Sequence, residues 1–417
     1  MTARETALKI LFEVEKNGAY SDLALKNVLS HSELSAADRA LATELTYGVV
    51  RMRLHLDFII EKYSSQPLKK LSVWIISILR MGMYQLFFMD RVPASAAVNE
   101  GVKLAKRYGH DASARFVNAV LRAAANGGQV VCPTIESYYS HPKWMVELLE
   151  SQYPEEYKKI LAANNLPAPI TVRVNTTKTS ARQLCDSLAQ KEITAYPDDG
   201  GLPLLTLEKA RDIAALEQYQ DGLFTPQDKG GYLAAANIPS TAELIIDVCA
   251  APGGKTTQIA EAAGDKTELI AFDIHPHKIE LINKNAARLG LKSIKAVLHD
   301  ATGLMTEYIG RADAVLADVP CSGLGIIRKK PDIKWTKKPE EIDEIINIQK
   351  RILRTAAEYV KSGGTLVYST CTINRYENQA VVDEFLTSSP FVKVKEAQLL
   401  THIDNCDGFY FCVMRRQ

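Results

Sequence analysis

The seven cysteines include no pair at C-x-x-C spacing. Structural zinc sites are ordinarily built from such pairs, so no metal is expected. The count is odd, and the first stretch, MTARETALKILFEVEK, scatters charges where a secretory leader would be apolar. A disulfide framework is therefore not expected. A long uninterrupted hydrophobic run is also missing. The most apolar stretch, LSVWIISILRMGMYQLFFM, is broken by Arg80 and reads as a buried helix, so no membrane span is expected. Neither sign of charge is in excess, since 50 basic and 49 acidic residues leave a formal net charge of +1. Any affinity for phosphates must then come from a local cluster of cations. These absences predict a reducing cytoplasm, with cysteines that are either core residues or reactive thiols. A monomer is also expected, independently of these absences.

What is present is a globular composition, 47% hydrophobic and 24% charged. A chain of 417 residues suits about two or three domains. Residues 1–128 read as helix after helix. Thr2 and Glu5 form a capping box, and Ala3, Ala7, Leu8, Leu11 and Val14 follow at helical spacing up to a stop at Gly18. Residues 129–238 mix helical stretches (KWMVELLESQY, SARQLCDSLAQKE) with the alternating strand ITVRVNTT, which predicts a small α+β subdomain. From 239 to 417 the apolar strands ELIIDV, ELIAFD, AVLADV and TLVYST alternate with helices. That is the pattern of an α/β domain with a doubly wound parallel sheet. Such sheets bind ligands beyond the carboxyl ends of their strands.

The first of these strands runs into Asp247-Val248-Cys249-Ala250-Ala251-Pro252-Gly253-Gly254-Lys255 and then a helix. Glycines there let a ligand approach the backbone and the positive helix start. A phosphate-binding P-loop would need a glycine where Cys249 stands, and no G-x-G-x-x-G run for a dinucleotide occurs. A nucleoside such as S-adenosylmethionine needs no phosphate cradle. It needs an acid after the second strand for the ribose hydroxyls, and Asp273 is so placed. Asp300, after the next strand, would reach the adenine side. The plainer alternative is that both aspartates only cap helices or end strands.

Two cysteines also follow strands at this edge. Asp318-Val319-Pro320-Cys321 ends the fourth strand and Ser369-Thr370-Cys371 the fifth. Cys132, Cys185, Cys406 and Cys412 read as small buried hydrophobes, and Cys249 as structural. A strand-end thiol beside a methyl donor has a specific use. Carbon 5 of cytosine is a poor nucleophile, but a thiolate added to carbon 6 gives it enamine-like character. The thiol, with an ordinary pKa of about 8.5, then needs a cation or base nearby. Asp318 is the candidate acid for ring nitrogen 3, and a second thiol or a water would help remove the carbon 5 proton. From Arg328 to Lys338 the chain carries six cations against one acid, plus Trp335. Arg328, Lys329, Lys330 and Lys334 could hold phosphates while Trp335 stacks on an unpaired or flipped base. The plainer alternative is a solvated loop anchored by a core tryptophan.

DVCAAPGGK, DVPCSG with its downstream PDIKW, and YSTCT together resemble the RNA (cytosine-C5) methyltransferases of the NOL/NOP/Sun (Fmu) family. ELTYGVVR, PASAAVNEGVKLAKRYG and FVNAVLR resemble the NusB-like RNA-binding domain that precedes the catalytic part in members acting on 16S ribosomal RNA. The resemblance implies a Rossmann-like methyltransferase domain and S-adenosylmethionine contacts from Cys249, Ala250, Ala251, Pro252, Gly253, Gly254, Lys255, Asp273, Asp300 and Asp318. It implies that Cys371 is the nucleophile, that Cys321 assists product release, and that 16S ribosomal RNA is the partner. Asp318 is assigned as base or cofactor-positioning residue, while Glu377, in the run from Asn374 to Asn378, carries no assigned role. The alternatives are a transfer RNA cytosine-C5 methyltransferase, a P-loop nucleotidase opposed by Cys249, and a non-catalytic RNA-binding assembly factor opposed by the retention of both Cys321 and Cys371.

Overall fold

In the computed structural model, which describes every residue except Gln129 and Arg211, the chain forms two units. One comprises Met1–Leu166 with Ile327–Lys337, and the other Pro167–Ile326 with Lys338–Gln417.

The first unit is helical. Thr2 Oγ1 accepts the Glu5 backbone N–H (3.3 Å), so half of the predicted capping box forms. The other half is replaced, because the Glu5 carboxylate accepts the Tyr108 hydroxyl (2.6 Å) and pairs with Arg107 (2.9 Å). Buried at 4% exposure, it gains more from charge-assisted bonds than from its own helix start. Gly18 ends the first helix, Ala3–Asn17, at φ 65°, a conformation that suits glycine. The apolar stretch becomes the helix Val73–Phe88. Its Arg80 is buried but bound by both Asp57 oxygens (2.6 and 2.8 Å) and by Glu15 (3.1 Å), which compensates the lost hydration. The expected break at 128/129 falls inside this unit, as the helices Ile135–Tyr139, Lys143–Gln152 and Tyr157–Ala163 follow.

The second unit holds two sheets. The predicted strand becomes β1 (Ile170–Val174), which with β2 (Thr194–Pro197), β3 (Leu204–Glu208) and β4 (Phe224–Pro226) forms a four-stranded antiparallel sheet in the order β2-β3-β1-β4. Leu184 and Leu188 of the helix Ala181–Ala189 cover it, against Val172, Val174, Leu205 and Phe224. The larger sheet comprises β5 (Leu244–Asp247), β6 (Glu268–Asp273), β7 (Ile294–Leu298), β8 (Ala312–Asp318), β9 (Val360–Thr370), β10 (Phe391–Leu399) and β11 (Phe409–Arg416). Its order is β10-β11-β9-β8-β5-β6-β7. β5 to β9 are parallel neighbours, whereas β10 and β11 close one edge antiparallel, so the sheet is mixed.

Successive residues along a strand face opposite sides, so a sheet buried on both sides needs continuous apolar runs. Ile246, Ile270, Val315 and Leu366 share one core with Leu353 and Ala356 of the helix Pro339–Tyr359. Their neighbours Ile245, Leu269, Leu316 and Val367 share another with Ile259, Ala260 and Ile282 of the helices Gly254–Ala262 and Pro276–Leu289. The Rossmann-like α/β architecture expected from the sequence is thus present. Strand order reverses at β5, since β6 lies on one side and β8 on the other. That switch point opens a crevice at the carboxyl ends.

Candidate active site

A cavity of about 380 Å³ opens at this switch point. Cys249, Ala251, Asp273, Asp300 and Asp318 line it, with Val248, Ile274, Pro320 and Ile348 as apolar walls. Ala250, Pro252, Gly253, Gly254 and Lys255, also expected at the cofactor, are not among its lining residues. Their loop is held from behind. The Ala250 N–H reaches the Phe272 carbonyl (2.8 Å), and Thr256 Oγ1 donates to Asp247 (2.7 Å). Asp247 is buried, and that burial raises its carboxyl from 3.8 to about 7.

Asp273 ends β6, where one oxygen accepts the His275 N–H (3.1 Å) and Lys278 stands 3.7 Å away. Asp300 folds its own turn by accepting the Thr302 N–H and hydroxyl, both at 2.9 Å. Those bonds, the backbone one foremost, hold its carboxyl below the ordinary value. The local-capping role and the cavity-lining role therefore coexist at both aspartates. Three carboxylates against one lysine, Lys278, would repel a phosphate and suit a cationic nucleoside bearing hydroxyls. The donor set thus fits S-adenosylmethionine better than a nucleotide.

The two cysteines meet because of register. β8 and β9 run parallel with Asp318 opposite Ser369, so the loops leaving them start side by side. Cys321 Sγ lies 3.2 Å from Cys371 Sγ. The contact with Cys371, followed by burial, pushes the Cys321 thiol well above its ordinary pKa. Asp318 is fixed at both oxygens, by Ser369 Oγ (2.7 Å) and Lys255 Nζ (2.6 Å). Burial alone would lower Lys255, but Asp318 outweighs it, and Cys371 adds to the upward shift. The ammonium also sits 5.3 Å from the centre of the Phe409 ring. The remaining cysteines, Cys132, Cys406 and Cys412, are buried, with Cys185 half-buried.

Pattern reading missed Glu377. It is fully buried and binds residues of both cysteine loops, Ser322 and Thr372. Its nearness in sequence to Cys371 was a signal, but spacing does not reveal a buried carboxylate's partners.

The basic segment requires a correction. Arg328 and Lys334 are buried, and Trp335 packs on the helical core of the first unit. Lys334 Nζ donates to the carbonyls of Arg51 (2.6 Å) and Ser140 (2.8 Å) and to Asn165 Oδ1 (3.0 Å). Trp335 Nε1 donates to the Val50 carbonyl (2.7 Å), and the Asp332 carboxylate accepts the Ser21 N–H (3.2 Å). Lys334 and Trp335 are spent on packing and on carbonyls at helix ends, and Arg328 is buried, so these three present no open phosphate- or base-binding surface. Lys329 is half-buried. Lys330 is exposed, 3.8 Å from Asp22.

Three family models match the chain in succession. They are the NusB family (residues 1–126), the ferredoxin-like domain of RsmF/B-like methyltransferases (141–214), and the 16S rRNA methyltransferase RsmB/F model (234–413). A probable ribosomal RNA small subunit methyltransferase B of Bacillus subtilis is 37% identical, covering 100% of this chain and 99% of its own length. The chain belongs to the ribosomal RNA small subunit methyltransferase B family. A member from Vibrio cholerae is 32% identical over 100% of this chain and 98% of its own. The fold of this family member recurs in a crystal structure of PH0851, with a TM-score of 0.83 at 22% identity, covering 99% of this chain and 98% of the other. It recurs also in NSun6 from Pyrococcus horikoshii, solved with SFG, an S-adenosylmethionine analogue. There the TM-score is 0.60 at 21% identity, covering 66% of this chain and 98% of the other. Membership makes the chain an S-adenosylmethionine-dependent ribosomal RNA methyltransferase. Among the described residues no helix is long and apolar enough to cross a membrane.

Proposed function

We propose that this family member methylates carbon 5 of a cytosine in 16S ribosomal RNA through a covalent adduct on Cys371. The observation that carries the reading is the Cys321–Cys371 pair, 3.2 Å apart in the loops that follow β8 and β9, where Asp318 and Pro320 of the cavity wall come just before Cys321 in the chain. Two adjacent thiols at that edge suit a covalent adduct and its release. The names of its relatives supply the ribosomal RNA substrate, and the NusB-like helical unit is the proposed RNA-binding module. The compartment proposed is a reducing cytoplasm, where both thiols stay free.

Asp273, Asp300 and Asp318 hold the cofactor, with Cys249 and Ala251 along its loop. The bound cofactor supplies an electrophilic methyl sulfonium. Cys371, as thiolate, bonds to carbon 6, and the ring electrons shift to carbon 5. The Lys255 ammonium favours the anionic sulfur, and Asp318 serves as the base and positions the cofactor. Carbon 5 takes the methyl group, the donor being left as a neutral thioether that keeps the bonding pair, and the carbon 5 proton then passes to the Asp318 carboxylate. The carbon 6–sulfur bond breaks, restoring the ring double bond and the Cys371 thiolate. Cys321 assists this last stage.

The test is methyl transfer from labelled cofactor to undermodified 16S ribosomal RNA, with the labelled base mapped. Label outside cytosine carbon 5 would sink the reading. Cys371→Ala is expected to abolish both turnover and the denaturation-resistant RNA adduct, whereas Cys321→Ala forms the adduct and releases it poorly. The reverse pattern would exchange the two roles.

A further inference from the structure

We propose that Glu377 is a positioning residue that clamps the two cysteine loops together, setting Cys321 against Cys371 for release of the methylated base. The inference rests on the division of roles proposed above. Beyond Asp318 and Ser369 the ladder between β8 and β9 ends, its last bond running from the Val319 N–H to the Ser369 carbonyl (3.1 Å). Backbone pairing no longer fixes the loops there, and the Glu377 carboxylate takes over. One oxygen accepts the Ser322 N–H (2.8 Å) and Gln349 Nε2 (3.1 Å). The other accepts Ser322 Oγ, Thr372 Oγ1 (3.3 Å) and Asn374 Nδ2 (3.1 Å). Ser322 follows Cys321 directly, and Thr372 follows Cys371. The two hydroxyls also meet at 2.9 Å. Gln349, from the helix Pro339–Tyr359, donates to the Pro320 carbonyl as well (3.0 Å), so the clamp is anchored to a packed helix.

The chemistry of the site asks for a carboxylate. Glu377 has no exposure, and a buried anion persists only when its oxygens are fully hydrogen-bonded. All five bonds come from neutral donors. An amide would turn its own N–H groups towards some of these donors. The negative charge has a further effect on the pair. After the Cys371 contact and burial, it adds to the forces that keep Cys321, 3.2 Å from Cys371 Sγ, protonated.

The experiment separates placement of the thiols from catalysis. In the full-length protein without RNA, diamide takes two electrons and two protons from a neighbouring thiol pair, forming a disulfide while becoming the hydrazine. Mass spectrometry of the Cys321–Cys371 peptide gives the coupling rate. Glu377→Gln is expected to slow this coupling roughly tenfold, the scale of a lost charged hydrogen bond. In the methylation assay it is expected to accumulate adduct and to lower kcat by a similar factor, with KM for RNA changed less than about twofold. Glu377→Asp, which keeps the charge, should recover part of both. If Glu377→Gln does not fold, Ser322→Ala, which loses the hydroxyl's contacts with Glu377 and Thr372 but keeps the backbone bond, is expected to slow coupling about threefold. Coupling and turnover at wild-type rates in the folded variants would overturn the clamp. Cys371→Ala that still forms adduct would overturn the division of roles alone, and the diamide rates would still decide the clamp.

Discussion

Single side chains here show how burial changes what a residue type means. Asp247, behind the cofactor loop, keeps its proton to about 7 because burial penalises the anion. In the unfolded chain it would titrate near 3.8. Between those values the folded state binds more protons, so the stability this group contributes, full below the lower value, is lost as pH rises through about 7. Asp247→Asn cannot ionise, and its amide oxygen can still accept the Thr256 hydroxyl. Urea midpoints of the wild type are therefore expected to fall relative to the variant between about pH 4 and 7 and to level off above that. Parallel curves would contradict this. Cys321 and Cys371 show the same dependence on surroundings. Sequence motifs picked out both, but only their neighbours, Lys255 near one and Glu377 near the other, give the two thiols different environments.

At the scale of elements, the site is a consequence of strand register and of a close loop crossing. Gly325, four residues after Cys321, donates its N–H to the Cys371 carbonyl (3.1 Å) and accepts the Gly408 N–H (2.8 Å). A Cβ at Gly325 would sit 1.9 Å from the Gly408 oxygen and 2.9 Å from the Cys371 oxygen. Neither backbone can yield without moving a loop of the site. Gly325→Ala is expected to cut turnover more than about tenfold, because near-ångström misplacement of reacting groups costs that much or more. Cofactor affinity by calorimetry should change less than about twofold, since Gly325 does not line the cavity. Equal losses in both would place the damage elsewhere. The switch-point cavity was legible in the sequence, because continuous apolar strands followed by Gly, Asp or Cys are a local pattern. The clamp at Glu377 was not, because its donors come from residues 322, 349, 372 and 374.

On the scale of the molecule, the segment Ile327–Lys337 belongs to the helical unit although it lies within the methyltransferase part of the chain. Burial and the nearby Arg51 push Lys334 well below the ordinary lysine pKa, while its three oxygen acceptors match the three protons of an ammonium. Lys334→Met leaves those acceptors unpaired and is expected to cost about 3 kcal/mol, read as a lower urea midpoint of the first unfolding transition. A variant within ~0.5 kcal/mol of wild type would show that the three bonds contribute little net stability. A chain lacking residues 1–166 removes every partner of this segment named above. Limited trypsin digestion is then expected to cut at Lys334, which the full-length protein protects.

The sequence alone determined the helical first part, the α/β second part, the acid-ended strands and the paired strand-end cysteines. Each of these is written in local periodicity or in a short contiguous motif, where neighbouring residues carry the signal. Tertiary structure alone decided the fate of the basic segment, because the six cations between Arg328 and Lys338 look the same whether they face solvent or a helix end. It also decided which loop residues line the cavity, how Asp318 is held, and what Glu377 binds. Those depend on which distant residues arrive at the same place, and that follows from register and packing between elements far apart in the chain.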